Sequence, residues 1–230
     1  MRMPSPIHSL IYYCPVLLAA WLLPPPALAG GAAHVRAGGE ATQLAWQTRG
    51  AVRLSQASKP DYLLVRDGKA YSVSVRGNTP VVMEVGGLLQ GLGALAQSRP
   101  NQYLPDRVDQ VKDMRKTETV AGILGHVYQL TVTDTQGKTH PTDAVLTDDP
   151  RVVDMTTSYL DSMRLLLGQA KTQQLTGSLP ARRRGILRLG NDFVLTSISG
   201  QEPAADQFVL PAQPVSLQNL LQGLQGLQKQ

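Results

Sequence analysis

Cysteine is almost absent from this chain, and its scarcity excludes several kinds of chemistry. The single cysteine, Cys14, lies near the N-terminus, ahead of an apolar segment. A chain that begins after it can hold no disulfide, no thiolate metal site and no cysteine nucleophile. A lipoprotein signal needs its cysteine at the cleavage point, and the position of Cys14 therefore does not predict one.

Dense charge and aromatic residues are also lacking. Of 22 basic residues only Arg2 lies in the first 29, which leaves 21 basic against 17 acidic residues and a net charge of +4. The basic residues are scattered, apart from the cluster Arg182, Arg183 and Arg184. Nucleic-acid-binding proteins usually show a denser basic stripe with aromatic side chains between the charges. The composition therefore predicts no nucleic-acid partner.

The first 29 residues have the pattern of an export signal. Arg2 is followed by the apolar run 15–23, three prolines and the small-residue sequence Ala27-Leu28-Ala29, which is typical of a signal peptide. The run is about half of the roughly 20 apolar residues that a spanning helix needs. We therefore expect cleavage after Ala29, a periplasmic protein and no transmembrane anchor.

The rest of the chain predicts a disordered linker, one folded domain and an amphipathic tail. Residues 30–41 are rich in glycine and alanine and are interpreted as a disordered linker, residues 42–210 as the folded domain, and residues 211–230 as a Leu/Gln-rich amphipathic tail. Alternating apolar residues predict strands, and Asp67-Gly68 predicts a tight hairpin turn. The predicted strands are 43–47, 52–56, 61–66, 69–76, 80–85, 117–123, 126–134, 142–147, 185–189, 192–199 and 207–210, with irregular chain over 98–115.

One long helix and two weaker helical segments are also predicted. Asp149 as N-cap and Pro150 in the first turn begin the long helix. Its apolar stripe is Val152, Met155, Tyr159, Met163, Leu166 and Leu167. Leucines at helical spacing also mark residues 86–97 and the tail, and the pentapeptide Leu-Leu-Gln-Gly-Leu occurs at both 88–92 and 220–224. We interpret these as similar amphipathic covers, although convergence on leucine-rich low complexity is an equal explanation.

This order of elements predicts an α+β fold. We expect a curved antiparallel sheet, a half-barrel of about 9–11 strands, covered on its concave face by helices.

Three segments resemble a family of uncharacterised exported bacterial proteins. The hairpin 62–72, the Ala-Gly turn and strand within 119–128, and the strand 144–147 followed by the helix are similar to that family's patterns. The resemblance covers roughly residues 43–200 and implies the LolA-like half-barrel of the periplasmic lipoprotein carriers and their outer-membrane receptor. A tryptophan common in the family's later strand is absent near Ala144 and Val145, and the leucine-rich tail is not part of the pattern. The resemblance implies no catalytic residue.

Candidate catalytic and metal sites are weakly supported. His126 and His140 are separated by a predicted hairpin, with Asp143, Asp148 and Asp149 nearby in sequence. Zinc needs three or four converging ligands, and the histidines lack the close spacing of known zinc motifs. There is no G-x-S-x-G, phosphate-binding loop or dinucleotide motif. We expect no cofactor, no metal and no enzymatic activity.

Two functional hypotheses follow from the sequence. The first is a binding or carrier module for an apolar ligand such as an acyl chain, a lipid or a lipoprotein. Its proposed ligand-binding residues are Leu88, Leu89, Leu92, Tyr159, Met163 and Leu167. The second is a cell-envelope protein that contacts another protein or a membrane surface. Its proposed contact residues are Leu217, Leu220, Leu221, Leu224, Arg182, Arg183 and Arg184.

Overall fold

The computed structural model describes residues 30–47, 50–77, 79–85, 107–134, 136–167 and 177–215. These residues contain eleven strands and one long helix. In chain order they are β1 Gly30–Ala37, β2 Glu40–Gln47, β3 Ala51–Gln56, β4 Tyr62–Arg66, β5 Lys69–Arg76, β6 Thr79–Glu84, β7 Arg107–Val120, β8 Ile123–Thr133, β9 Thr139–Thr147, α1 Pro150–Leu167, β10 Gly185–Leu189 and β11 Phe193–Ser199.

All eleven strands form one antiparallel sheet, in the order β6-β5-β4-β3-β2-β1-β11-β10-β9-β8-β7. The number of strands agrees with the sequence-based expectation, and the α+β class is confirmed at this level. The disordered linker expected over residues 30–41 is wrong. Residues 30–37 are β1, which pairs with β2 on one side and β11 on the other, and β2 begins at Glu40.

Tight turns join several neighbouring strands. Asp67 and Gly68 have φ of 52° and 72°, as the predicted hairpin between β4 and β5 requires. Ala121 and Gly122 have φ of 51° and 76° between β7 and β8. In both turns two successive residues have positive φ, which matches the right-handed twist of the flanking strands.

Two further expectations from the sequence are wrong. The segment 98–115 is expected to be irregular, but its described part, from Arg107 onward, belongs to β7 at one edge of the sheet. The segment 207–210 is expected to be a strand. The chain instead forms a 3-10 turn over Ala205–Phe208.

Helix α1 begins where the sequence predicts. The Asp149 carboxylate accepts a hydrogen bond from the Arg151 backbone N–H at 3.0 Å and two from its guanidinium, at 3.1 and 2.8 Å. Further along the helix, Thr156 Oγ1 accepts the Ile186 backbone N–H at 3.0 Å, where β10 bulges. This bond fixes the helix on the sheet, because a bulge leaves a backbone N–H without its ladder partner.

One face of the sheet buries the apolar stripe of α1. Val152, Met155 and Leu166 share a core cluster with residues of β2, β3, β4 and β10, among them Trp46, Val52, Val65 and Leu187. Trp46 is 1% exposed, and its Nε1–H donates to Asp154 Oδ2 at 2.6 Å. The helix therefore crosses several strands, from β10 toward β5.

The sheet is strongly curved at the β7 end. Four strand spacings separate β7 from β11 in the sheet order, which is about 19 Å in a flat sheet. Their α-carbons nevertheless approach within 8 Å. Arg188 of β10 also reaches Glu118 of β7, three strands away, with Nε–Oε1 and Nη2–Oε2 distances of 3.0 and 2.8 Å.

The opposite face of β2–β6 is covered by the chain that follows β11. We call residues 204–215 the strap. Phe208 packs on Ala45 and Leu64, and Leu210 and Ala212 contact the cluster of Tyr71, Val73 and Val82. Val215 then forms a parallel bridge with Met83 at the edge of β6. The packed structure therefore continues past the boundary at 211 that the sequence predicts for the tail.

Candidate functional site

An open cavity of about 380 Å³ lies between α1 and the sheet. Its inner wall is mostly apolar, with Ser72 beside Leu63 as a polar member, because side chains from neighbouring strands align in register on one face. Leu44 of β2 pairs with Leu54 of β3, and Leu54 pairs with Leu63 of β4. Val35 of β1 and Phe193 of β11 extend this wall, and α1 supplies Tyr159 and Met163 above it.

Tyr159 separates this cavity from a smaller void. Its ring lies 6.5 Å from that of Phe193, centroid to centroid, with a tilt of 36°. Behind the pair is a space of about 30 Å³ lined by residues of α1 and β10, including Met155, Leu160, Ile186 and Leu189. The two spaces share Ala37, Leu44, Tyr159 and Phe193 as walls.

Burial raises the pKa of the Tyr159 phenol. Among the described residues, none hydrogen-bonds to its hydroxyl group. A neutral phenol in an apolar wall can bind a ligand oxygen or a water molecule. It is not suited to act as a base, because the charged form is the one that burial disfavours.

Polar residues gather at the opposite side of the cavity, at one end of β2, β3 and β4. They are Glu40, Thr42, Ser55, Gln56, Lys59, Asp61 and Tyr62. Asp61 Oδ1 accepts the Val75 backbone N–H at 3.0 Å. The cavity is therefore amphipathic, with an apolar interior beneath the helix and a polar mouth.

Two of the six proposed ligand-binding residues, Tyr159 and Met163, line this cavity. Leu167 is the last residue of α1, and its side chain lies outside the described part of the structure, as do Leu88, Leu89 and Leu92. Sequence reasoning missed the wall formed by Leu44, Leu54 and Leu63. Leu44, Leu54 and Leu63 all lie within predicted strands, but only the pairing register aligns them in one row.

The proposed partner-contact residues are separate from the cavity. Arg182 and Arg184 are exposed and Arg183 is half-buried, in the turn before β10. None of the three lines the cavity. Leu217, Leu220, Leu221 and Leu224 lie outside the described residues.

The histidine pair does not form a metal site. His126 pairs with Leu146 on the adjacent strand, whereas His140 lies six positions earlier on that strand, opposite Val132. Six residues of strand span about 20 Å, so the two imidazoles cannot share an ion. Within the described ranges, no three His, Cys, Asp or Glu side chains are grouped as metal ligands require.

Comparison with models of protein families, with curated protein sequences and with solved structures found no match. Of the helices in the described part of the chain, none has the length and apolarity to cross a membrane.

Proposed function

We propose that this protein is a periplasmic, non-catalytic binding or carrier module for an apolar ligand such as an acyl chain, a lipid or the lipid part of a lipoprotein. The observation that carries the proposal is the open cavity of about 380 Å³ with leucines on its floor and Tyr159 and Met163 above it. Its volume lies within the roughly 300–1,000 Å³ of small-molecule sites, which are mostly apolar with a few polar groups.

The proposal includes a half-barrel of the LolA type, with α1 on its concave face. One observation supports the placement of the helix. α1 contacts β10, β11, β1, β2, β3 and β5, and it lies over the face that carries Leu44, Leu189 and Phe193. Contact with strands this far apart in the sheet supports a sheet that curves around the helix. The Arg188–Glu118 pair lies on the other face, because Arg188 precedes Leu189 on β10 and pairs with Val145 and Val194.

Binding would come from burial of apolar surface in this cavity. Each 100 Å² of ligand surface removed from water contributes about 2.5 kcal/mol. Association itself costs about 4–15 kcal/mol, so only a ligand long enough to cover most of the leucine wall would bind well. This requirement favours a chain of many methylene groups over a small apolar molecule.

Export is part of the same proposal. Residues 1–29 lie outside the described part of the structure, and β1 begins at Gly30, directly after the proposed cleavage site. We expect N-terminal sequencing of the protein from the periplasmic fraction to begin at Gly30. An N-terminus at Met1 would contradict export by signal cleavage.

A tryptophan substitution tests the cavity directly. Leu63 is half-buried in the cavity wall, and Leu63→Trp would place a larger side chain into the cavity. We expect at least a tenfold loss of affinity for an uncharged fluorescent dye such as N-phenyl-1-naphthylamine, measured by titration.

Leu124→Trp is the matched control, because Leu124 is 60% exposed and does not line the cavity. It should bind the dye like the unmodified protein. Equal binding by both variants, or no binding by the unmodified protein, would contradict the proposal.

A further inference from the structure

The polar mouth of the cavity is built by three neighbouring strands that end together. Glu40 and Thr42 lie at the start of β2, Gln56 at the end of β3 and Asp61 just before β4. Lys59 lies in the connection between β3 and β4. These residues therefore form one side of the cavity, where an elongated ligand would keep its head group near water.

Along these strands the cavity lining changes from apolar to polar within two residues. Leu44, Leu54 and Leu63 lie side by side across β2, β3 and β4. One step toward the mouth on the same face, Val35 pairs with Thr42, and Thr42 pairs with Gln56. A ligand whose chain covers the leucines therefore has its polar end among Glu40, Lys59 and Asp61.

The charges at this mouth are unequal. Two carboxylates, Glu40 and Asp61, face the space with one ammonium group, Lys59, and all three residues are exposed. None of the described residues that line the cavity is an arginine. The hydrogen bond from the Val75 N–H holds the Asp61 carboxylate in place at the strand end. The charge of the described lining residues is thus net negative, which disfavours an anionic head group and favours a cationic one.

We propose that the site selects single-chain amphiphiles by head-group charge, in the order amine, then alcohol, then carboxylate. This inference rests on the proposed function, because it assigns a polar end to the ligand of the same cavity. It adds a specific claim: free fatty acids are the poorest ligands of a series with equal chains. The three groups at the mouth, and not the apolar wall, determine that order.

Three probes with the same chain test the order. Dodecylamine, dodecan-1-ol and dodecanoate would each displace N-phenyl-1-naphthylamine from the purified protein at pH 7. We expect dodecylamine to bind at least about fivefold more tightly than dodecanoate at low ionic strength. The ratio of the dodecylamine affinity to the dodecanoate affinity should fall toward one at high salt, because exposed charges are screened within about 3 Å at 1 M.

Variants at the mouth should change the ratio of amine to carboxylate affinity and leave the apolar part of the cavity unchanged. The double variant Glu40→Gln, Asp61→Asn should bring the amine and carboxylate affinities to within about twofold of each other, and the asparagine side chain keeps an oxygen for the Val75 N–H. Lys59→Gln should increase the preference for the amine. Glu202→Gln removes an exposed carboxylate that does not line the cavity and should leave the ratio unchanged.

The affinity for dodecan-1-ol reports whether each variant keeps an intact cavity. If all three probes bind equally, or dodecanoate binds best, the head-group inference is wrong while the carrier function stands. If none of the three displaces the dye, both are wrong. A double variant that keeps the full preference for the amine would also overturn the role given to Glu40 and Asp61.

Discussion

At the residue scale, Asp149 is the clearest case of a side chain whose role is visible in both sequence and structure. It precedes Pro150 at the start of α1, and its carboxylate accepts bonds from the Arg151 backbone and guanidinium. These bonds, foremost those from the Arg151 side chain, lower the pKa of the carboxyl group. Both partners are partly exposed, so the cap geometry contributes more than the charge pair does.

We predict that Asp149→Ala lowers the free energy of unfolding by about 1 kcal/mol at pH 7, and that Asp149→Asn, which keeps a capping oxygen, lowers it by less. A lowered pKa in the folded state means that the contribution of the charge is present above the ordinary carboxyl pKa and is lost as the pH falls through the folded-state value. Urea unfolding should therefore show a larger difference between the unmodified protein and the Asp149→Asn variant at pH 7 than at pH 3. A difference that grows on acidification would contradict this assignment.

The apolar wall of the cavity could not be predicted from the sequence. Tyr159 and Met163 were identified because a helical stripe fixes its own face. Leu44, Leu54 and Leu63 belong to three separate strands, and each also fits an ordinary core position. Their common row exists only through the registers between β2, β3 and β4, which sequence spacing does not specify.

At the element scale, the strap explains one wrong assignment. Residues 207–210 include the apolar run of a short strand, but this part of the strap packs on a face of the sheet instead of joining its ladder. Arg66 Nη1 donates to the Phe208 carbonyl at 2.8 Å, and Arg53 Nη1 to the Gln207 carbonyl at 3.3 Å. These side chains replace the partners that a neighbouring strand would have supplied.

We predict that Phe208→Ala destabilises the protein by about 3 kcal/mol, because its buried ring, 3% exposed, fills the space above Ala45 and Leu64. The neighbouring Val209 is 57% exposed, and Val209→Ala should change stability by at most about 0.5 kcal/mol. Chemical denaturation of both variants measures the difference. Equal stability would mean that the strap is not part of the cooperative fold.

Strand β7 was missed in part for a different reason. It lies at the sheet edge, and its side chains from Arg107 to Thr119 are exposed or half-buried on both faces. An edge strand with polar residues on both faces lacks the alternation that identifies a strand. Interior strands such as β5, in which Ala70, Tyr71 and Val73 are buried, were predicted with their observed bounds.

At the scale of the whole molecule, β1 joins the two halves of the sheet. Strands β2–β6 continue from one of its edges and β11–β7 from the other. Its sequence predicts disorder because glycine and alanine give no hydrophobic pattern. The small residues have a packing cause: a Cβ on Gly31 would lie 2.5 Å from Cζ2 of Trp46. The tryptophan ring crosses the strand there, and only glycine leaves room for it.

We predict that the β1 amides, from Ala32 to Arg36, are among the slowest to exchange with deuterium, because the strand is central and Ala33 is fully buried. Amides of β7 on the open side of the sheet serve as the internal comparison and should exchange faster. Rapid exchange throughout residues 30–37 would show that β1 is not the centre of a stable sheet.

The bridge between Met83 and Val215 also relates two distant parts of the chain. The strands run parallel there, and the bridged residues are 132 positions apart. The two copies of the Leu-Leu-Gln-Gly-Leu pentapeptide, which start at Leu88 and Leu220, have the same separation. Each copy therefore begins five residues beyond the bridge in sequence. Inserting or deleting one residue between the bridge and either copy would remove this equal spacing.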